Sequence, residues 1–132
     1  MGVTSRKEAN IMTTKTLSKH DLAQFTGSEN WYRHGLNPNV LFTDGAKYLA
    51  DEGGVYWLLD TIALCQRFEK SVAAEPFQVW KLTVRPDRTA VLVCEDGNDN
   101  TVYTQHIEFS DFTLDEITLW FANNVIYLPS EH

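Results

Sequence analysis

The spacing of apolar residues changes at Glu75-Pro76, and this change is the feature that most constrains the fold. Between residues 55 and 68 the apolar positions recur with a helical period and share one face, formed by Val55, Leu58, Leu59, Ile62 and Cys65. After Pro76 the period becomes two, which is typical of strands. The sequence therefore predicts an α+β fold, with N-terminal helices packed on a C-terminal antiparallel sheet of about five strands.

Two shorter helices are predicted before the central helix. Ser18 can accept hydrogen bonds at the start of the first, and Gly27 would end it. Asp44 can cap the second, which would end at Gly53-Gly54. We expect residues 28–39, between the two helices, to form a loop, because this stretch carries Gly, Asn and Pro.

The segment after Pro76 predicts an antiparallel meander, in which turn residues separate three strands at residues 77–84, 89–95 and 101–109. On the first strand, Trp80, Leu82 and Val84 share one face. Two strands joined by so few residues must run antiparallel, so this part of the sheet is expected to be a continuous ladder.

The C-terminal segment allows two interpretations. Thr113-x-x-Glu116 matches the capping box of a helix, whereas residues 117–121 are rich in strand formers. Asn123-Asn124 then separates this stretch from a second apolar run at residues 125–128. Because asparagine tolerates the left-handed backbone of two-residue turns, we favour a hairpin.

The chain is expected to form one domain. Residues 1–16 are polar and lack apolar periodicity, so they are predicted to be a disordered tail, and residues 17–132 then form a single α+β domain. No apolar run is long enough to cross a membrane and no signal peptide is recognisable, which favours a cytoplasmic protein. Cys65 and Cys94 sit in apolar stretches, so each is expected to be a buried, reduced thiol.

Acidic residues are concentrated near the C-terminus. Residues 86–132 hold nine acids and one base, and such a field repels phosphate backbones, so direct nucleic-acid binding is not expected. The same field would attract a basic protein surface. The candidate acidic residues are Asp96, Asp99, Asp115 and Glu116. The alternative is a solvated acidic face that keeps the protein soluble.

The densest group of recognition side chains is Trp31-Tyr32-Arg33-His34. Two aromatic rings, a guanidinium and an imidazole could stack a base, clamp a carboxylate or anchor a partner protein. Alternatively, the two aromatic residues fill the core while Arg33 and His34 face water. Asp44 and Asp60 are the acids that could share a pocket with His34, and their plainer roles are a helix cap and a buried hydrogen-bond acceptor.

The sequence predicts no metal site, no cofactor and no catalytic residue. The four histidines contain no pair at helical spacing, which a zinc site would favour. The loop Asp96–Asn100 begins like a calcium loop, but Thr101 stands where that loop needs Gly and Ile107 where it needs Glu. The chain also has no Gly-rich phosphate loop and no serine in a G-x-S-x-G elbow.

Four tryptophans in 132 residues are a large aromatic content. Most are expected to lie in the core. If Trp80 and Trp120 lie on different faces of the sheet, one of them becomes a candidate anchor for a dimer or a partner.

Four strings of the sequence together resemble a known family: FTGSENWYRH, LFTDGAKYLADEGGVYWLLD, FQVWKLTV and ITLWFANNVIYLPSEH. The family consists of small uncharacterised bacterial proteins, a domain of unknown function often found on plasmids and phages. The resemblance covers residues 17–132. It implies a setting on mobile genetic elements, and it carries no reaction, substrate, cofactor or functional residue.

Three functional hypotheses follow. The first is a non-enzymatic protein-binding or regulatory module that uses the acidic sheet half and exposed aromatic residues, with a basic nucleic-acid-handling host protein or a second copy as its partner. The second is a small enzyme with a site around His34, Asp44 and Asp60. The third is a small-ligand sensor that uses Trp31, Tyr32 and Arg33.

Overall fold

The computed structural model describes residues 17–26 and 30–132, and the prediction of a disordered tail over residues 1–16 lies outside them. The helices are α1 (Lys19–Ala23), α2 (Asp44–Gly53), α3 (Tyr56–Phe68) and α4 (Lys70–Ala73). The strands are β1 (Trp31–Arg33), β2 (Leu41–Thr43), β3 (Phe77–Val84), β4 (Ala90–Glu95), β5 (Thr101–Ile107), β6 (Glu116–Ala122) and β7 (Val125–Tyr127). A 3₁₀ turn (Pro129–Glu131) follows β7. The α+β class is confirmed.

The sheet has seven strands in the order β1-β2-β7-β6-β3-β4-β5. Strands β2 and β7 pair in parallel, and every other neighbouring pair is antiparallel. The prediction of about five antiparallel strands is therefore wrong in number and in pairing. The two additional strands are β1 and β2, which are only three residues long, too short to display a period of two.

The predicted C-terminal hairpin is confirmed. β6 and β7 pair antiparallel, and Asn123 and Asn124 both have positive φ angles, 54° and 64°. Left-handed backbone at both central residues is the conformation that matches the twist of a two-residue hairpin. The capping-box interpretation of Thr113-x-x-Glu116 is wrong, because Glu116 begins β6.

The ends of α2 and α3 and the start of α1 agree with the sequence to within one residue, but α1 ends at Ala23, and the predicted stop at Gly27 lies outside the described residues. Ser18 caps α1 by accepting from the N–H of Asp21. Thr43, and not Asp44, caps α2, because β2 extends to Thr43 and its hydroxyl accepts from the N–H of Ala46. Gly54 ends α2 with a left-handed φ of 65°. The four-residue helix α4 was not predicted.

The helices pack against one face of the sheet. The strand residues that enter the hydrophobic core all point to that face, among them Phe42, Trp80, Leu82, Leu92, Leu119 and Ile126. The alternate positions form a second face, here called the open face. Its apolar residues larger than alanine are Trp31, Leu41, Phe77, Val79, Val91, Val93, Trp120, Val125 and Tyr127. None of these nine side chains belongs to the core cluster of the described residues.

Membrane insertion by a helix is not supported in the described part of the chain, where no helix has the length and apolar character needed to cross a bilayer.

Candidate functional site

The residues Trp31, Tyr32 and Arg33 do not converge on one site. They form β1, in which neighbouring side chains point to opposite faces of the sheet. Trp31 and Arg33 are exposed on the open face, and Trp31 keeps 59% of its surface accessible. Tyr32 points toward the helices and stacks on Phe42, with ring centroids 5.6 Å apart.

His34 and Asp60 do meet, as the enzyme hypothesis expected. The imidazole Nε2 lies 2.8 Å from Oδ1 of Asp60, and His34 is buried. Nδ1 accepts hydrogen bonds from the backbone N–H groups of Leu36 and Asn37. Because Nδ1 is an acceptor, the ring proton resides on Nε2, which donates to Asp60. Both ring nitrogens are engaged, so this pair fastens the loop after β1 to α3.

Asn37 completes this anchor. Its side chain is buried, its Nδ2 donates to the carbonyl of Ala63 at 2.8 Å, and its Oδ1 accepts from the N–H of Asn39. The loop between β1 and β2 therefore makes two contacts with α3, one through His34 and one through Asn37. Fastening this loop fixes the position of β1 at the edge of the sheet.

Asp44 lies apart from the His34–Asp60 pair. Its carboxylate accepts from the hydroxyl of Tyr32 at 2.9 Å and from the N–H of Asn30 at 3.2 Å. The ring of Phe42 stands between the two groups, stacked on Tyr32 and edge-on to His34 at 6.4 Å. The hydrogen bond to Asp44 raises the pKa of Tyr32, because a neighbouring carboxylate disfavours the phenolate.

A polar cluster extends from Asp44 along the exposed side of α2. Lys47 donates to Asp51 at 2.7 Å, and the hydroxyl of Tyr56 donates to the same carboxylate. The lysine bond lowers the pKa of Asp51, and the carboxylate in turn raises the pKa of Lys47 and of Tyr56. Lys47 is thus held as a cation, which makes it unsuited to act as a nucleophile at neutral pH.

The four candidate acids lie at two opposite ends of the sheet. Asp96 and Asp99 belong to the β4–β5 turn, next to the end of β3 at Phe77. Asp115 and Glu116 lie at the start of β6, where Glu116 pairs with Thr83 at the other end of β3. Asp96 accepts from two backbone N–H groups and from the side chain of Asn100, so it also holds the turn together.

Aromatic residues form a row across the open face. Trp31, Tyr127, Trp120 and Phe77, here called the aromatic row, lie on β1, β7, β6 and β3. Tyr127 is the cross-strand partner of Trp120. Trp120 contacts Phe77 edge-on at 5.3 Å and Tyr127 at 6.1 Å between ring centroids. Trp80 is buried on the other face, so the two tryptophans do lie on different faces.

His132 extends the aromatic row. Its ring stacks on Tyr127 and stands edge-on to Trp120 at 5.1 Å. Nδ1 of His132 lies 3.1 Å from the hydroxyl of Tyr127. Burial raises the pKa of Tyr127, so this hydroxyl keeps its proton and can donate to the imidazole.

A cleft of about 290 Å³ opens beside the aromatic row. Trp31 forms one wall, Tyr127 and His132 form another, and Val125, Ala122 and Asn123 form the rest, with Glu131 also lining it. The Glu131 carboxylate accepts from the Thr43 hydroxyl at 2.7 Å and from the N–H groups of Gly45 and Leu128. Glu131 therefore ties the 3₁₀ turn to the start of α2, which fixes the position of His132.

The fold alone does not indicate a function, but the sequence matches a known family. The profile of a family described as "Family of unknown function (DUF6876)" matches residues 16–132.

The chain belongs to the DUF6876 family.

This membership confirms the resemblance to a family of unknown function. No curated protein and no solved structure matches the chain. The function of this DUF6876 protein therefore has to be inferred from its residues and their geometry.

The aromatic row was missed as a site by sequence reasoning, although part of it was detectable. Trp120 and Tyr127 occupy matching positions in the two strands of a predicted hairpin. Trp31 joins them only because β2 pairs with β7 and so carries β1 alongside the hairpin. That parallel pairing between distant segments leaves no local pattern in the sequence.

Metal binding finds no support in residues 17–26 and 30–132, where no three His, Cys, Asp or Glu side chains are grouped closely enough to hold an ion.

Both thiols are buried, as predicted, and each is free of disulfide bonds. Burial raises the pKa of Cys65, and it raises the pKa of Cys94 to about 12. The folded thiols therefore remain protonated at neutral pH, which makes them poor nucleophiles.

We predict that the free energy of unfolding falls as pH rises from 9.0, the ordinary pKa of a thiol, toward about 12, the pKa of Cys94 in the folded chain. In this range the unfolded thiol loses its proton while the folded thiol keeps it, so alkali favours the unfolded chain. Each such group contributes a slope of at most about 1.4 kcal/mol per pH unit. Urea denaturation at a series of alkaline pH values measures the slope. Cys94→Ala should make the slope shallower, with Cys65 and Tyr103 contributing the remainder, and an unchanged slope in that variant would contradict the assignment.

Proposed function

We propose that this DUF6876 protein is a non-enzymatic protein-binding module whose binding surface is the open face of its sheet. The aromatic row is the observation that carries the proposal. Trp and Tyr combine a large apolar area with few rotatable bonds, and they are the residues most enriched at binding hot spots. Trp31 is exposed and the other three rings are half-buried, and a sheet face with four aromatic side chains outside the core supports an interface.

The arrangement of the other candidates also favours binding over catalysis. Both nitrogens of His34 are engaged, so this ring has no nitrogen ready to accept a substrate proton. Asp44 contacts Tyr32 on the far side of Phe42, so the three groups of the enzyme hypothesis do not share a pocket. The ligand-sensor hypothesis requires Trp31 and Tyr32 to line the same site, but the two residues line different clefts.

The acidic residues at the two ends of the sheet indicate that the partner is basic. Asp96 and Asp99 at one end, and Asp115 and Glu116 at the other, flank the open face and would steer a basic protein toward it. The implied setting on mobile genetic elements makes a basic nucleic-acid-handling host protein in the cytoplasm a reasonable partner. The acidic residues then contribute to the association rate, and the aromatic row contributes most of the affinity.

The test is whether the immobilised full chain captures a protein partner, and how strongly the Trp31→Ala variant binds the same partner. Trp31 is exposed and outside the core, so its removal should leave the fold intact. We expect a partner to be retained by the wild-type chain and to bind Trp31→Ala at least about tenfold more weakly, because a hot-spot Trp contributes about 2 kcal/mol or more.

The matched control is Phe68→Ala. Phe68 is 68% exposed at the end of α3, on the helical side of the molecule. Its removal tests whether any exposed aromatic residue produces the same loss. Retention that is equally weakened by the two substitutions, or no partner retained at low salt, not even a second copy of the chain, would contradict the proposal.

A further inference from the structure

We infer that the partner of the open face is a second copy of this chain, which packs face to face to form a homodimer. This inference rests on the proposed function, because it names the occupant of the same surface, and it places a second copy there instead of a basic host protein. Three properties of the open face carry it: its charge, the distribution of its side-chain sizes, and its area.

The open face is neutral in a strongly acidic chain. Its strands carry two basic residues, Arg33 and Lys81, and two acidic residues, Glu95 and Glu116, so these charges cancel, whereas the whole chain has a net charge of −7. Lys81 and Glu95 pair with each other at 3.1 Å, and Glu116 pairs with Lys19 of α1 at 3.4 Å. Two copies that met through their acidic ends would repel one another. Two open faces can approach without that penalty.

Side-chain sizes on the open face are complementary under a two-fold rotation. The half formed by β1, β7 and β6 carries large rings, including Trp31, Tyr127 and Trp120. The half formed by β3, β4 and β5 carries mostly smaller side chains, among them Val91, Val93 and Thr104, with Phe77 at one end. A two-fold axis parallel to the strands, between β6 and β3, lays β6, β7 and β2 of one copy over β3, β4 and β5 of the other, and leaves Trp31 at the rim. Such an isologous arrangement is how homodimers close.

The area of the open face is close to the least that a specific dimer interface needs. Seven strands about 4.8 Å apart span roughly 30 Å, and five residues of strand span about 17 Å. The flat area is then on the order of 500 Å² per copy. Two copies together bury on the order of 1,000 Å², close to the lower limit for a specific interface, and stacked sheets interdigitate at a separation of about 10 Å.

The test is the mass of the full chain in solution, measured by light scattering and sedimentation from low micromolar to submillimolar concentration. We expect twice the mass of one chain. Val79→Lys should give the mass of one chain, with the dimer dissociation constant raised at least about 100-fold, because two lysines meet near the two-fold axis. Within one chain this lysine would lie between Trp120 and Glu95, which favour a cation.

Two further variants make the test decisive. Phe68→Lys places the same charge on the helical side and should leave the dimer mass unchanged. Val93→Glu, opposite Lys81, repeats the disruption with the other sign of charge if Val79→Lys does not fold. Circular dichroism reports whether each variant is folded.

The outcomes separate this inference from the proposed function. A wild-type chain with single-chain mass at every concentration overturns the homodimer, and so does a dimer that survives in a folded Val79→Lys variant. A monomer that still captures another protein through Trp31 rejects the second copy and keeps the binding module. A monomer that captures nothing rejects both.

Discussion

Replacing Gln78 with alanine is expected to lower the free energy of unfolding by about 3–4 kcal/mol, although glutamine is usually a surface residue. Gln78 lies on β3 and is completely buried. Its Nε2 donates to Oε1 of Gln66 and to the carbonyls of Val72 and Glu75, at 2.9 to 3.1 Å. Its Oε1 accepts from Nε2 of Gln66 and Nε1 of Trp80.

The loss of stability arises from the buried polar groups whose hydrogen bonds to Gln78 are removed. Without the carboxamide, the Trp80 indole N–H and the Val72 carbonyl have lost a partner inside the core. Each buried polar group left unsatisfied costs about 1–3 kcal/mol, and the vacated side-chain volume adds a cavity term. Thermal unfolding should shift downward by about 10 °C or more, and urea denaturation gives the free energy directly.

Gln105→Ala is the control for this prediction. Gln105 lies on the same face of the sheet but on the edge strand β5, where it is half-buried and accepts from the hydroxyl of Tyr103. Its removal should cost less than about 1 kcal/mol. If Gln78→Ala cost no more than Gln105→Ala, the buried amide network would not be a stabilising element.

The local pattern of the sequence was sufficient to predict α2, α3, the meander and the C-terminal hairpin. The same pattern also indicates that Gln78 is buried, although its residue type alone would suggest a surface position. Residues 80, 82 and 84 were placed on one face, and the same alternation puts residue 78 on that buried face. A polar residue at such a position must find internal partners, and these come from α3, from α4 and from the loop that follows α4.

Sequence patterns could not predict the pairing of strands that are far apart in the sequence. The parallel pairing of β2 with β7 joins residues 41–42 to residues 125–126. It adds β1 and β2 to the sheet and places Trp31 near Tyr127, which creates the candidate site. For the same reason, the count of acidic residues could not reveal that they occupy two opposite ends of the sheet.

Gly45→Ala is expected to lower the free energy of unfolding by about 2 kcal/mol, against the prediction of helix propensity. Gly45 lies in the first turn of α2, where alanine would ordinarily stabilise the helix by up to about 1 kcal/mol. A Cβ atom there would lie 2.6 Å from Oε1 of Glu131 and 2.7 Å from Cδ1 of Leu128. Leu128 is buried, and the Glu131 carboxylate is held by Thr43 and two backbone N–H groups. Neither neighbour can move without breaking these contacts, so the steric cost exceeds the gain.

A double-mutant cycle distinguishes this clash from a general effect at the glycine. Glu131→Ala alone should also destabilise the fold, because it removes the acceptor for the Thr43 hydroxyl and the N–H of Gly45. With the carboxylate gone, part of the clash is relieved, so the double variant should lose less stability than the sum of the two single losses. Strict additivity would show that the two residues are not coupled. Gly35→Ala, where no atom lies within 4 Å of the added Cβ, should stay within about 0.5 kcal/mol of the wild-type chain. The cycle thereby measures how firmly the 3₁₀ turn is held on α2, and with it the position of His132 beside the aromatic row.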